Sequence, residues 1–202
     1  MLITFSYRDG IKRLNQKQED QDRDKILSRL STIIPTARQS EAFNSHQKGT
    51  GKWLWDAEEF QEWINNSGRV LFCPGIPGAG KTVLSSIMID YIDQKFAEVE
   101  DVGLTYLFYD YRQRPTLLKI YCALLQQLLL GMFSITESIK LFYENYLQKG
   151  SRPNEEQVLR ELKSIVASCT RTFIVIDALD ECPISNGVQS VRHPFIRQLL
   201  SR

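Results

Sequence analysis

The hydrophobic positions of this chain change period near residue 68. Before it they are sparse. Residues 1 to about 35 are largely polar and charged, with Ile26, Leu27 and Leu30 making a narrow apolar stripe that predicts one amphipathic helix ending before Pro35. That helix reads as a strut on the main domain, with a partner-binding segment as the alternative. Residues 36–51 read as loop, and Trp53-Leu54-Trp55 opens a helical stretch through Phe60 to Trp63-Ile64. Beyond residue 68, short continuous apolar runs alternate with helical spacing. Arg69-Val-Leu-Phe-Cys73 predicts a strand, about 80–96 a helix, and Gly103-Leu-Thr-Tyr-Leu-Phe-Tyr109 another strand. Helical patterns follow at about 116–131, 135–148 and 154–168, the last with Pro153 near its first turn. Thr172-Phe-Ile-Val-Ile176 is apolar almost throughout, as expected of a strand buried on both faces. A last helix is predicted over 194–201. Strands separated by helices predict parallel pairing, hence an α/β fold with a parallel sheet flanked by helices. The expected organisation is a helical and loop N-terminal extension, 1–50, followed by one α/β domain, 51–202.

Where the first predicted strand meets the first long helix, the chain reads Gly75-Ile-Pro-Gly-Ala-Gly80-Lys81-Thr82, a complete G-x-x-x-x-G-K-T motif. Strand, glycine loop and helix start stand in the order that phosphate binding requires. Glycines let a triphosphate lie against bare backbone, so that successive N–H groups point at its oxygens. The helix start adds unsatisfied first-turn donors and the positive end of its dipole. Gly75, Gly78, Ala79, Gly80, Lys81, Thr82 and Val83 are therefore the candidate nucleotide-binding residues. Lys81 is expected to reach the β- and γ-phosphates and the Thr82 hydroxyl to take one position on Mg²⁺. Gly49-Thr50-Gly51-Lys52 echoes such a loop without the preceding strand or the spacing, and reads as a turn.

The second half of the candidate site is Asp177-Ala-Leu-Asp180-Glu181, which closes the run 172–176. Ligands of open α/β sheets bind at the carboxyl ends of strands. Asp177 there can hold a hydrated Mg²⁺ opposite Thr82, the Walker-B role. Asp180 and Glu181 are candidates for orienting or deprotonating an attacking water, with Lys81 stabilising phosphoryl charge. No N-K-x-D motif and no L-S-G-G-Q signature is present, which argues against the G-protein and ABC-ATPase readings. A small-molecule kinase is a third class, disfavoured because no acceptor-binding signature accompanies the loop.

Composition narrows the context. A net charge of +1 gives no reason to expect a nucleic-acid or membrane-surface partner. Cys73, Cys122, Cys169 and Cys182 form no C-x-x-C pair, and only His46 and His193 are available, so a zinc site is not expected. Cys73 and Cys169 sit beside apolar runs, as reduced cytoplasmic thiols do. Arg8 and Asp9 interrupt the first apolar residues before a signal-peptide core forms, and no stretch approaches the roughly 18 apolar residues of a membrane span.

These residues resemble a known family. The Gly75–Thr82 loop together with Phe173-Ile-Val-Ile-Asp-Ala-Leu-Asp-Glu-Cys182 is similar to the NACHT domain of STAND-class P-loop NTPases. The likeness is to fungal NLR-like proteins whose loop region is classed as a nephrocystin-like N-terminal domain. Gln47-Lys-Gly-Thr-Gly-Lys-Trp-Leu54, Glu59-Phe-Gln-Glu-Trp63, Phe72-Cys-Pro-Gly75 and Tyr109-Asp-Tyr-Arg112 extend the resemblance from about residue 20 to about 185. It implies binding of ATP or GTP with Mg²⁺, slow hydrolysis, and a nucleotide-controlled switch to oligomeric signalling states through self-association. It transfers no base-binding residue, and the lead-in around Trp53 is where such residues are expected. It also implies a sensor strand between the Walker-A and Walker-B strands, which would follow Arg202. The sheet is accordingly expected to be incomplete, as in a C-terminally truncated domain. The leading reading is a nucleoside triphosphate binding module. The alternative is a non-catalytic NACHT fragment that associates with full-length NACHT proteins.

Overall fold

The computed structural model describes residues 24–30, 35–99, 101–110, 115–132, 136–148 and 153–179, with 17, 21 and 112 besides. Helical residues 24–30 are followed by α1 (Pro35–Asn44), α2 (Lys52–Trp55), α3 (Glu58–Asn65) and α4 (Lys81–Phe96). Then come β1 (Val102–Phe108), α5 (Leu117–Gly131), α6 (Glu137–Gln148), α7 (Glu155–Ser168) and β2 (Arg171–Asp177). Local chemistry explains several of these boundaries. Asn154 and Gln157 form a reciprocal capping box at the start of α7, each side chain accepting from the other's backbone N–H at 2.9 and 3.0 Å. Thr116 caps α5 by accepting from Lys119 N.

β1 and β2 pair in parallel, Val102 opposite Arg171 through Phe108 opposite Asp177. Strand alternation then divides the core in two. Val102, Leu104, Tyr106 and Phe108 of β1, with Phe173 and Val175 of β2, pack against Leu54, Phe60, Ile64, Met88, Ile89 and Ile92 from α2, α3 and α4. Leu107, Tyr109 and Ile176 face the other way, toward α5, α6 and α7. Helices thus cover both faces, which explains the nearly continuous apolar sequence of β2. The expected α/β class with a parallel sheet is found. No helix among the described residues is long and apolar enough to cross a membrane.

The outer edge of β1 is sealed by a side chain. Gln127 of α5 accepts from Tyr106 N at 3.0 Å and donates to Tyr106 O at 2.9 Å, as a neighbouring strand would. The opposite edge of the sheet differs. Tyr109 N donates to Asp177 O on the β1 side, so parallel alternation turns the backbone groups of Thr172, Ile174 and Ile176 to the far edge of β2. No strand pairs there among the described residues. The predicted strand Arg69–Cys73 is corrected accordingly: residues 69–76 belong to no helix or ladder. Leu71 packs against the core cluster of α2, α3, α4 and the sheet, but Val70 and Phe72 are 64% and 59% exposed. An apolar run becomes a strand only when another backbone takes up its hydrogen bonds.

Two further readings are corrected. Within the stretch read as loop, 36–51, the chain is helical as far as Asn44. Pro35 opens α1, where its missing N–H costs nothing, and Ala42 is buried. The helical stretch from Trp53 to Ile64 is two helices, broken at Asp56 and at Ala57, whose backbone is extended. Ile26 and Leu27 are buried with α5 and α6 residues, and Gln126 of α5 donates to Leu27 O at 2.6 Å. That is the strut expected of the N-terminal helix. Gly49–Gly51 forms the predicted turn. The helix expected at 194–201 lies outside the described residues.

Candidate functional site

The glycine loop is shaped by its own backbone. Ala79 N donates to Ile76 O at 3.1 Å, closing a tight turn. Gly78 and Gly80 have φ of 82° and 79°, values that side-chain-bearing residues adopt only with strain. Gly80 is the N-cap of α4 and offers no side chain to its first-turn donors. Those N–H groups are therefore left for a ligand or water. Space and conformation are separate matters here, since a Cβ on Gly80 would meet nothing within 4 Å. A Cβ on Gly75 would stand 3.3 Å from that of Ala79.

Lys81, the first residue of α4, turns back over the loop. Its Nζ donates to Gly75 O at 2.7 Å and Ile76 O at 3.2 Å. The next residue reaches the sheet: Thr82 Oγ1 donates to Asp177 Oδ2 at 2.7 Å. Asp177 closes β2 and is 5% exposed. Its carbonyl accepts from Tyr109 N at 3.2 Å. Ala178 follows at φ 56°, so the chain turns sharply away immediately after the carboxylate. A buried ionised carboxylate needs donors or a cation, and the Thr82 hydroxyl supplies one donor.

The chemistry of this pair fits Mg²⁺. Both are hard oxygen donors, and Mg²⁺ commonly takes one or two protein oxygens while keeping waters and phosphate oxygens for the rest of its shell. Among the described residues no group of three His, Cys, Asp or Glu side chains is gathered.

An open cleft of about 570 Å³ adjoins the loop, within the range of small-molecule sites. Trp53, Trp63, Arg69, Phe72, Cys73 and Lys81 line parts of it. The lead-in around Trp53 is thus beside the loop, where base-binding residues were expected. Trp53 itself is 65% exposed. Burial pushes the Cys73 thiol up from its ordinary value, and Cys73, Cys122 and Cys169 carry free thiols.

Lys81, Thr82 and Asp177 are therefore brought together with Gly75, Gly78, Ala79 and Gly80, and Val83 continues α4 just behind them. Asp180 and Glu181 lie outside the described residues. One group of residues was given no role by the sequence. Arg38 of α1 donates to Tyr109 O at 3.4 Å and pairs with Asp110 at 3.8 Å, at the carboxyl end of β1. Asp110 lies in a segment that carried the family resemblance, but nothing in the sequence around Arg38 signals a contact 71 residues away.

In comparison with known proteins, the model of one family, described as Nephrocystin 3, N-terminal, matches residues 49–202. No curated protein and no solved structure matches.

Proposed function

Because this chain belongs to the nephrocystin 3 N-terminal family, we propose that it is a nucleotide-binding module of the NACHT type within the STAND NTPases. The single observation that carries the reading is the 2.7 Å hydrogen bond from Thr82 to Asp177. It joins the G-K-T motif to the carboxylate at the end of β2, as a shared metal site demands. In this reading the loop N–H groups hold the phosphates of ATP or GTP, and the base lies toward the cleft at Trp53. Thr82 and Asp177 would hold Mg²⁺, which supplies charge neutralisation at the phosphates when bound.

The residues' own moves follow from their present partners. The Lys81 ammonium exchanges the carbonyls of Gly75 and Ile76 for phosphate oxygens, which are stronger acceptors for a cation. The Thr82 hydroxyl would keep its proton on Asp177 and offer a lone pair outward, since a hydroxyl donates and accepts at once. Asp180 and Glu181 are assigned to orienting and deprotonating water in a slow hydrolysis that resets a conformational switch.

A second reading is favoured by one observation. The edge of β2 that no strand covers among the described residues, with the exposed Val70 ahead of the glycine loop, suits association with another chain through the sheet, as a non-catalytic interaction protein would use it.

Thermal unfolding tests the first reading. Mg²⁺ with ATP or GTP at a hundred times Kd adds about 2.7 kcal/mol, which raises Tm by about 5–10 °C for a chain of this size. Lys81→Ala is expected to abolish the rise. An equal rise in wild type and variant, or none in wild type, contradicts the reading.

A further inference from the structure

The Thr82–Asp177 pair is held from behind by a path leading out of the matched domain. Thr82 Oγ1 donates to the Asp177 carboxylate, Tyr109 N donates to the Asp177 carbonyl, and Arg38 donates to the Tyr109 carbonyl. Tyr109 is 1% exposed, so its backbone groups have little access to competing water. The turn after it is fixed by Asp110, both of whose carboxylate oxygens are engaged. Oδ1 accepts from Arg112 N at 2.9 Å, and Oδ2 faces Arg38 at 3.8 Å. The element carrying Arg38 is α1, which packs on α4, where Thr82 sits, and on β1, which ends one residue before Tyr109. One short helix thus touches the supports of both members of the pair. It also precedes residues 49–202, so the Arg38 side of the contact lies outside what the family match covers.

We propose that Arg38 is a positioning residue for the Thr82–Asp177 pair, acting through Tyr109, and that α1 thereby tunes the metal affinity of the site. The inference rests on the nucleotide reading for its metal, but its geometry does not. Arg38 side-chain exposure is 44%, and Asp110's 27%. A pair that open contributes modestly, so the effect on affinity is a few-fold.

The test uses the full chain and has two arms. In the first, a fluorescent ATP analogue is titrated with Mg²⁺ and with EDTA. In Arg38→Ala the gain in affinity conferred by Mg²⁺ falls about 3-fold, while affinity in EDTA is unchanged. Arg38→Lys restores most of the gain, and Glu41→Gln on the same helix leaves it at the wild-type value. An undiminished gain in Arg38→Ala overturns the proposal, as does an equal loss with Mg²⁺ and with EDTA. The second arm needs no nucleotide. Hydrogen exchange of the Tyr109 amide in the ligand-free protein is expected to quicken about 3-fold in Arg38→Ala and to return toward wild type in Arg38→Lys. An unchanged rate overturns the proposal. A wild-type chain that binds no analogue defeats the nucleotide reading instead, and the exchange arm still decides whether Arg38 holds Tyr109.

Discussion

Replacing Gln127 by leucine asks how much of the sheet's stability rests on one amide. Gln127 substitutes for a third strand along β1, with its oxygen on Tyr106 N and its nitrogen on Tyr106 O. The nitrogen also donates to Ala123 O at 3.1 Å, one helical turn back. Leucine keeps much of the volume and the helix propensity but leaves both backbone groups of Tyr106 without this partner. Each hydrogen bond is worth about 0.5–1.5 kcal/mol net, and a stranded buried group costs about 1–3 kcal/mol. Gln127 is half-buried, so some water reaches the site and the lower part of each range applies. Two lost bonds then predict a destabilisation of about 2–3 kcal/mol, or a fall in Tm of about 5–10 °C at this chain length. Urea unfolding followed by circular dichroism measures the free energy, and amide exchange at Tyr106 localises it. A loss below about 0.5 kcal/mol with unchanged Tyr106 exchange would refute the claim that this side chain closes the sheet.

Three other outcomes follow from the same contacts. Arg171 donates to Ile64 O at 2.7 Å and to Asn65 O at 3.1 Å, satisfying carbonyls at the end of α3. Arg171→Met is expected to cost about 1–2 kcal/mol in chemical denaturation, and a neutral result would show that water serves those carbonyls equally well. Burial raises Cys122 from 9.0 to about 11 and Tyr121 from 10.0 to about 12, the latter with help from Glu155. Both groups fold best protonated, so their contribution is complete below pH 9 and is lost as pH rises toward 12. Stability measured from pH 8 to 11 should fall, and a flat profile contradicts the assignment. If the chain turns nucleotide over, Asp180→Asn or Glu181→Gln should abolish steady phosphate release while leaving binding intact; release at the wild-type rate would remove both from the catalytic role.

The sequence displayed some of this and hid the rest for physical reasons. β2 and α7 were legible because their causes are local: a β-branched, apolar run in one case and helical spacing with Pro153 near its first turn in the other. The fate of Arg69–Cys73 was not, since alternation and apolarity describe a strand's faces and say nothing about who pairs with its edge. α1 escaped notice because Thr36-Ala-Arg-Gln-Ser-Glu-Ala has no apolar stripe; its order comes from packing Ala42 and from Pro35 at its start. At the candidate site, Thr82 and Asp177 were picked as partners for one metal from motif chemistry alone. Their direct hydrogen bond, the folding of Lys81 onto Gly75 and Ile76, and the Arg38 contact are products of tertiary geometry, with no local pattern to announce them.

Phosphate binding by the Gly75–Thr82 loop is the property from which the proposed function follows. Calorimetric titration of the whole 202-residue chain with ATP and with GTP, in Mg²⁺ and beside Lys81→Ala, measures this. Saturable, Mg²⁺-dependent binding of at least one triphosphate is expected of wild type, and its loss is expected in the variant. Binding of equal strength in both proteins, or no heat from wild type at millimolar nucleotide, would contradict the proposed function.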